Sequence, residues 1–236
     1  MKGPHSGRPP TPAWLRPITE RLSPSIRSLV IVMSVLFGLY IMVGPSRVQF
    51  DQHLALSANV GRGELWQPIT ALFVHLDPLG YFFDMLGLWF VGATIERNLG
   101  RRRFLFLFFG AGLLANLLVA ALLYVFRFPA MFAGCGDSVL GLFVAFGVLY
   151  GRTQVRVFGA LAMEARWLSA ILVGMSVISA LGQGAYLALL GTLVASLFAY
   201  LVAGGKINDL TSLLRRNRRS RIQILNGGKR GPGWMN

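Results

Sequence analysis

Histidine, cysteine and acidic residues are all scarce in this chain, and each shortage removes a class of function. There are three histidines, His5, His53 and His75, and none follows residue 75. A single cysteine, Cys135, excludes an intramolecular disulfide. Zinc centres draw three or four ligands from His, Cys and carboxylates. So scattered a set leads to the expectation of no metal site and no cofactor. Asp and Glu number 9 against 23 Lys and Arg, and charged residues make up only 14% of the chain. A soluble domain carries about a quarter.

What fills the space is hydrophobic. Apolar residues reach 54% and the mean hydropathy is +0.58. They are bunched into runs separated by short basic clusters. A helical bilayer crossing needs about 20 apolar residues, and six stretches come near or meet that length: 27–44, 78–95, 104–126, 138–150, 167–182 and 184–203. The fourth is short, as for a helix that starts at mid-membrane after a buried loop. No signal peptide is expected, because the N-terminal segment is polar, proline-rich and basic. The organisation read from this is a basic arm over 1–26, a membrane domain over 27–203, and a basic tail over 204–236.

Lys and Arg also give the orientation. The arm with Arg27 at its end, the second-to-third connection, the fourth-to-fifth connection and the tail hold 20 of the 23. The other side holds Arg47, Arg62 and Arg127. Six spans with both termini in the cytosol follow. The net charge of +14 is therefore a topology signal, and no nucleic-acid partner is expected, since aromatics do not interleave with the arginines. In the tail, Ile207, Leu210, Leu213 and Leu214 precede Arg215, Arg216, Arg218, Arg219 and Arg221. That pattern reads either as an amphipathic helix on an anionic leaflet or as a plain stop-transfer tail. Small residues at four-residue spacing, Gly147 with Gly151 and Gly191 with Ala195, suit close helix packing. They leave a homo-oligomer open.

Polar groups inside the bilayer are costly and usually functional. Asp77-Pro78 reads as an N-cap followed by proline at the first helical position. Asp137-Ser138 reads as a cap for the fourth span, and Asn116 as a bond between helices. Asp84, several residues into an apolar run, must face the bundle interior and find hydrogen bonds.

The stretch Glu64-Leu65-Trp66-Gln67-Pro68-Ile69-Thr70, then Phe73-Val74-His75, then Met85-Leu86-Gly87-Leu88-Trp89-Phe90-Val91-Gly92 and Ile95-Glu96-Arg97-Asn98-Leu99-Gly100, resembles the rhomboid family of intramembrane serine proteases. Ala165-Arg166-Trp167-Leu168 and the basic tail ending near Ile224-Leu225-Asn226-Gly227-Gly228 are similar to the family as well. Gln67 stands where the family's outer-loop motif has arginine.

The resemblance implies an all-α polytopic membrane protein, a six-transmembrane-helix rhomboid-like bundle with N and C termini cytosolic. It also implies a catalytic pattern that this chain departs from. Active members carry a serine in Gly-x-Ser-Gly at the start of the fourth span and a histidine on the sixth. Aligning Val139-Leu140-Gly141-Leu142 puts that motif on Gly134-Cys135-Gly136-Asp137, so the nucleophile position is Gly136. The base position falls on Tyr186 within Ala185-Tyr186-Leu187, or on Gly184 in a register shifted by two. On the second span, His75 is kept, but the next histidine is Gly80 and the asparagine is Asp84, an anion where an oxyanion needs a donor.

Hydrolysis by the family mechanism is therefore not expected. The expectation is a pseudoprotease whose vestigial pocket, Gly80, Asp84, Gly136, Asp137 and Tyr186, serves binding, with Asp84 paired to Tyr186 or to amides near Gly136. Its partners would be transmembrane helices of other membrane proteins and anionic lipids, in a bacterial inner membrane. A fixed structural subunit of a membrane complex is the alternative. A third reading is a residual hydrolase using Ser138, which lies about 200° around the helix from the usual nucleophile, or Cys135 with His75 as base.

Overall fold

The computed structural model describes residues 23–42, 47–157 and 161–204. Five of its helices are long and apolar enough to cross a membrane: α1 (Pro24–Met42), α3 (Pro78–Leu99), α4 (Arg101–Phe126), α6 (Ala165–Gly182) and α7 (Tyr186–Ala203). Between α1 and α3, the outer loop forms the short helix α2 (Arg47–Leu54), a 3-10 turn (Ala58–Arg62) and one helical turn at Gln67–Thr70. The shorter apolar helix α5 (Gly136–Leu149) has 14 residues. At 1.5 Å per residue it measures about 21 Å, short of the roughly 30 Å hydrocarbon core. The chain is an integral, multi-pass membrane protein. The five membrane-length helices fall on five of the six apolar stretches read from the sequence to within a few residues at each end, and α5 falls on the short fourth stretch.

The only strands among the described residues were not foreseen. The connection between α5 and α6 contains an antiparallel hairpin of β1 (Gln154–Val157) and β2 (Leu161–Glu164). Val155 stands between Gln154 and Arg156 and pairs with Met163, but so short a stretch beside basic residues reads as a loop.

α4 is the axis of the bundle. Its Phe104, Leu107, Phe108, Ala111, Gly112, Ala115, Asn116, Val119, Ala120 and Leu123 are buried, a stripe at three- and four-residue spacing. Small residues set how closely its neighbours approach, because van der Waals packing rather than water exclusion drives association in lipid. A Cβ on Gly141 of α5 would lie 2.8 Å from the Ala111 Cβ and 3.5 Å from the Ala199 Cβ, so α4, α5 and α7 converge at that glycine. Gly147 does the same between α5 and α6, where Ser169 would meet an added Cβ.

α1 docks on α3 through Tyr81, whose ring stacks on Phe37 at 4.2 Å and whose hydroxyl meets Ser34 Oγ at 2.6 Å. At the other end of the pair, Ser23 donates to Glu96. α3 contains a π turn at Leu88–Gly92, where Gly92 lies against Ile26, Leu88 and Phe104.

The connection from α4 to α5 positions the site. Arg127 ends α4 in the left-handed region at φ 53°. The chain then runs irregularly to Gly134, at φ +109°, a conformation that glycine adopts without strain. Two outer-loop contacts hold it there. Leu56 and Phe132 exchange backbone bonds of 2.8 and 2.9 Å, and Gly134 N–H donates to the Ala71 carbonyl at 2.9 Å.

Candidate functional site

The N-terminal end of α5 opens beside α3 and the segment before it. Asp77 caps α3, its Oδ1 accepting from Gly80 N–H at 2.5 Å, with Pro78 at the first helical position. That cap fixes the start of α3, so Asp84 is turned inward. His75, two residues before the cap, is 3% exposed. Cys135, immediately before α5, is fully buried.

These three side chains meet. His75 Nε2 lies 3.2 Å from Asp84 Oδ2. In this contact the imidazole Nε2 faces the carboxyl oxygen, and His75 Nδ1 has no hydrogen-bond partner among the described residues. Cys135 Sγ stands 3.6 Å from the same Asp84 oxygen and 3.8 Å from His75 Nε2. The Sγ also lies 3.9 Å from Met33 Sδ on α1. Asp84 is the most accessible of the three, with 15% of its side chain exposed against 2% for His75.

The glycines on either side of Cys135 frame this cluster. A Cβ on Gly136 would meet only the Asp84 carboxylate, at 3.6 and 3.8 Å, and one on Gly134 would meet Asp84 Oδ2 at 3.5 Å. The backbone at Gly136 therefore points any added side chain at the Asp84 carboxyl.

Asp84 is paired with His75 and Cys135, which corrects the expected pairing with Tyr186 or with amides near Gly136. Gly80 faces Asp77, where an added Cβ would sit 2.7 Å from Oδ2, and so belongs to the α3 cap. Asp137 does not cap α5. The N-cap residue is Cys135, without a side-chain bond, while Asp137 Oδ1 accepts from Thr192 Oγ1 on α7 at 2.8 Å. Ser138 is buried without a partner, against Gly112 and Leu72, on the far side of α5 from the cluster. Asn116 donates to the Pro68 carbonyl at 2.9 Å, holding the outer-loop turn on α4.

Tyr186 is 65% exposed. The α7 face toward α5 is marked by Gly191, near the Asp137 carboxylate, and by Thr192. At 100° per residue, Tyr186 lies about 120–140° around the helix from that face. Gly184 sits before the helix, in a turn at φ +65°. The residue one turn before Gly191 and Thr192 on the facing side is Ala188, which residue-type matching overlooked. The arginines Arg215, Arg216, Arg218, Arg219 and Arg221 lie outside the described residues.

Gln67 is a further buried polar centre. Its Oε1 accepts from Ser57 N–H at 2.9 Å and Ser57 Oγ at 3.1 Å, while Nε2 donates to the Gln52 carbonyl at 2.9 Å and Glu64 Oε2 at 2.6 Å. It staples the outer loop to itself.

A model of the rhomboid domain matches residues 62–205, well over half of the chain. The chain belongs to the rhomboid family. It is 36% identical over 83 residues to rhomboid-like protease 2 of Toxoplasma gondii, covering 34% of this chain and 27% of that protein. It is 26% identical over 122 residues to the rhomboid protease GluP of Bacillus subtilis (strain 168), covering 50% of this chain and 23% of that protein. The matches thus span about a quarter of the length of these two relatives. Both are named as proteases. Within this rhomboid, the start of α5 offers glycine, cysteine and aspartate in sequence, facing a histidine and a carboxylate contributed by α3 and the segment before it.

Proposed function

We propose that this rhomboid is proteolytically inactive and binds transmembrane segments of client or partner proteins, ending in retention, escort or assembly. The observation that carries the reading is the pairing of Gly136 with Asp84. The position from which the family's serine would attack has no side chain, and it looks onto an anion. An acyl-transfer transition state needs donors aimed at a developing negative oxygen, and a carboxylate there opposes it. No histidine follows His75 in the sequence, so α7 supplies no base.

The finer topology belongs to the same reading. The three-to-twenty division of Lys and Arg supports six crossings with both termini in the cytosol, and a bacterial inner membrane is the location that fits it. Large apolar side chains on the outer faces of α3 and α6, among them Phe82, Phe83, Trp167, Ile171 and Met175, offer apolar surface to lipid or to a client helix.

A second reading, a thiol-dependent hydrolase, is favoured by one distance, the 3.8 Å between Cys135 Sγ and His75 Nε2. The complete burial of Cys135, and the claim of Asp84 on the same imidazole nitrogen, weigh against it.

The deciding experiment is affinity purification of the tagged chain from native membranes in mild detergent, with quantitative mass spectrometry. A substoichiometric set of single-span proteins, recovered intact, is the expected result. Constant stoichiometry with one or two partners would make it a fixed subunit of a membrane complex instead. Client fragments lost in a Cys135→Ala control would establish the hydrolase.

A further inference from the structure

The sequence led to the expectation of no metal site, because its candidate ligands are 9 and 51 residues apart. The fold removes that separation. The ligating atoms of His75, Asp84 and Cys135 all lie within 4.8 Å of one another. We propose that these three side chains form a binding site for a single zinc-type divalent transition-metal ion.

The spacing is the first argument. Zinc bonds of about 2.3 Å to sulfur, 2.05 Å to nitrogen and 2.1 Å to oxygen in a tetrahedron place S and N about 3.5 Å apart, N and O about 3.4 Å, and S and O about 3.6 Å. The corresponding distances here are 3.8, 3.2 and 3.6 Å. Each edge is within about 0.3 Å of one face of that tetrahedron.

Charge is the second argument. Thiolate, carboxylate and neutral imidazole around a divalent cation sum to zero, the state that costs least where burial is deep and the surroundings are apolar. Without the ion, the Asp84 carboxyl faces only the His75 imidazole and the Cys135 sulfur. Ligand type is the third: thiolate with imidazole and carboxylate suits zinc better than magnesium or calcium, which take oxygen.

Binding balances simply. The Cys135 S–H bond breaks, the sulfur bonds the metal and the proton leaves to water. His75 ligates through Nε2 with its own proton on Nδ1, which is unpartnered among the described residues. The partly exposed Asp84 carboxylate is the first ligand an arriving ion meets. Gly134 and Gly136, with no side chains beside the cluster, leave room for water as fourth ligand. The site shares Asp84 with the proposed client pocket, but metal uptake is read without any client present, so the two readings fail separately.

The test is titration of the purified full-length protein in detergent with Zn²⁺ alone, and with Co²⁺ as a spectroscopic substitute. One metal per chain is expected, with a thiolate-to-cobalt charge-transfer band and, by X-ray absorption, one sulfur at about 2.3 Å from zinc. Cys135→Ala and Asp84→Ala should each weaken binding more than about 100-fold, beyond the 10–100-fold typical of groups that merely orient a ligand. His5→Ala and His53→Ala should change nothing. Substoichiometric uptake, a sulfur-free shell, or full binding by Cys135→Ala would overturn the proposal. The X-ray absorption result is read on the unaltered protein, so it decides the matter even if a variant fails to fold.

Discussion

Asp84 Oδ2 lies 3.2 Å from His75 Nε2, joining a helix to the segment that precedes it across a proline-started turn. Removing the carboxyl leaves a buried imidazole nitrogen unpaired, which costs about 1–3 kcal/mol. Asp84→Leu should therefore lower stability by that amount in detergent unfolding. Asp84→Asn keeps an acceptor oxygen and should lose less, while reducing client recovery in the affinity purification. Equal recovery by wild type and Asp84→Asn would count against a binding role for this pocket.

A restored enzyme requires the right face of α7. Gly136→Ser fits sterically, since its Cβ meets Asp84 only at ordinary contact distance. Combined with Tyr186→His it should still give no labelling by a serine-directed fluorophosphonate and no cleavage of a transmembrane substrate, because residue 186 points outward. Labelling of that double variant would place Tyr186 in the pocket after all. The informative partner substitution is Ala188→His.

Gln67 occupies a position where the family's motif has arginine, and the structure explains why arginine would fail here. Ser57 offers two donors to the Gln67 oxygen, and a guanidinium has no acceptor. Gln67→Arg should destabilise the protein by about 1–3 kcal/mol, read as a lowered melting temperature in detergent. An unchanged melting temperature would show that the loop does not depend on this bond.

Ser138 should prove dispensable. Its hydroxyl is buried without a partner, so Ser138→Ala removes an unsatisfied polar group and should shift stability by less than about 1 kcal/mol, toward greater stability. Gly112→Ala, which drives a methyl into Ser138 and Leu72, should cost about 1–3 kcal/mol by overpacking. The two are compared by unfolding of the single variants.

The long spans were legible in the sequence because lipid demands a length of apolar residues and little else. Asp77-Pro78 was legible for a local reason: a cap and a fixed φ act within one turn, and the structure places Asp77 as the α3 N-cap. Asp137 misled by the same logic. An acid before an apolar helix looks like a cap, and only the packing of α7 against α5 could give it Thr192 instead. The face of α7 was also beyond reach, because matching residue types ignores rotation, and a shift from 186 to 188 turns a side chain by about 200°. His75, Asp84 and Cys135 could be singled out one at a time. Their meeting depends on the left-handed turn at Gly134 and the short α5, which no local spacing encodes.

The paired bonds between Leu56 and Phe132 have a mechanical consequence. They rivet the outer loop to the strand-like connector that leads, three residues later, to Cys135, and the bond from Gly134 to Ala71 adds a second rivet. The place of the buried thiol is thus set partly from outside the bundle, by main-chain bonds that reach the connector from the outer loop and the turn after it rather than by any side chain of the cluster itself.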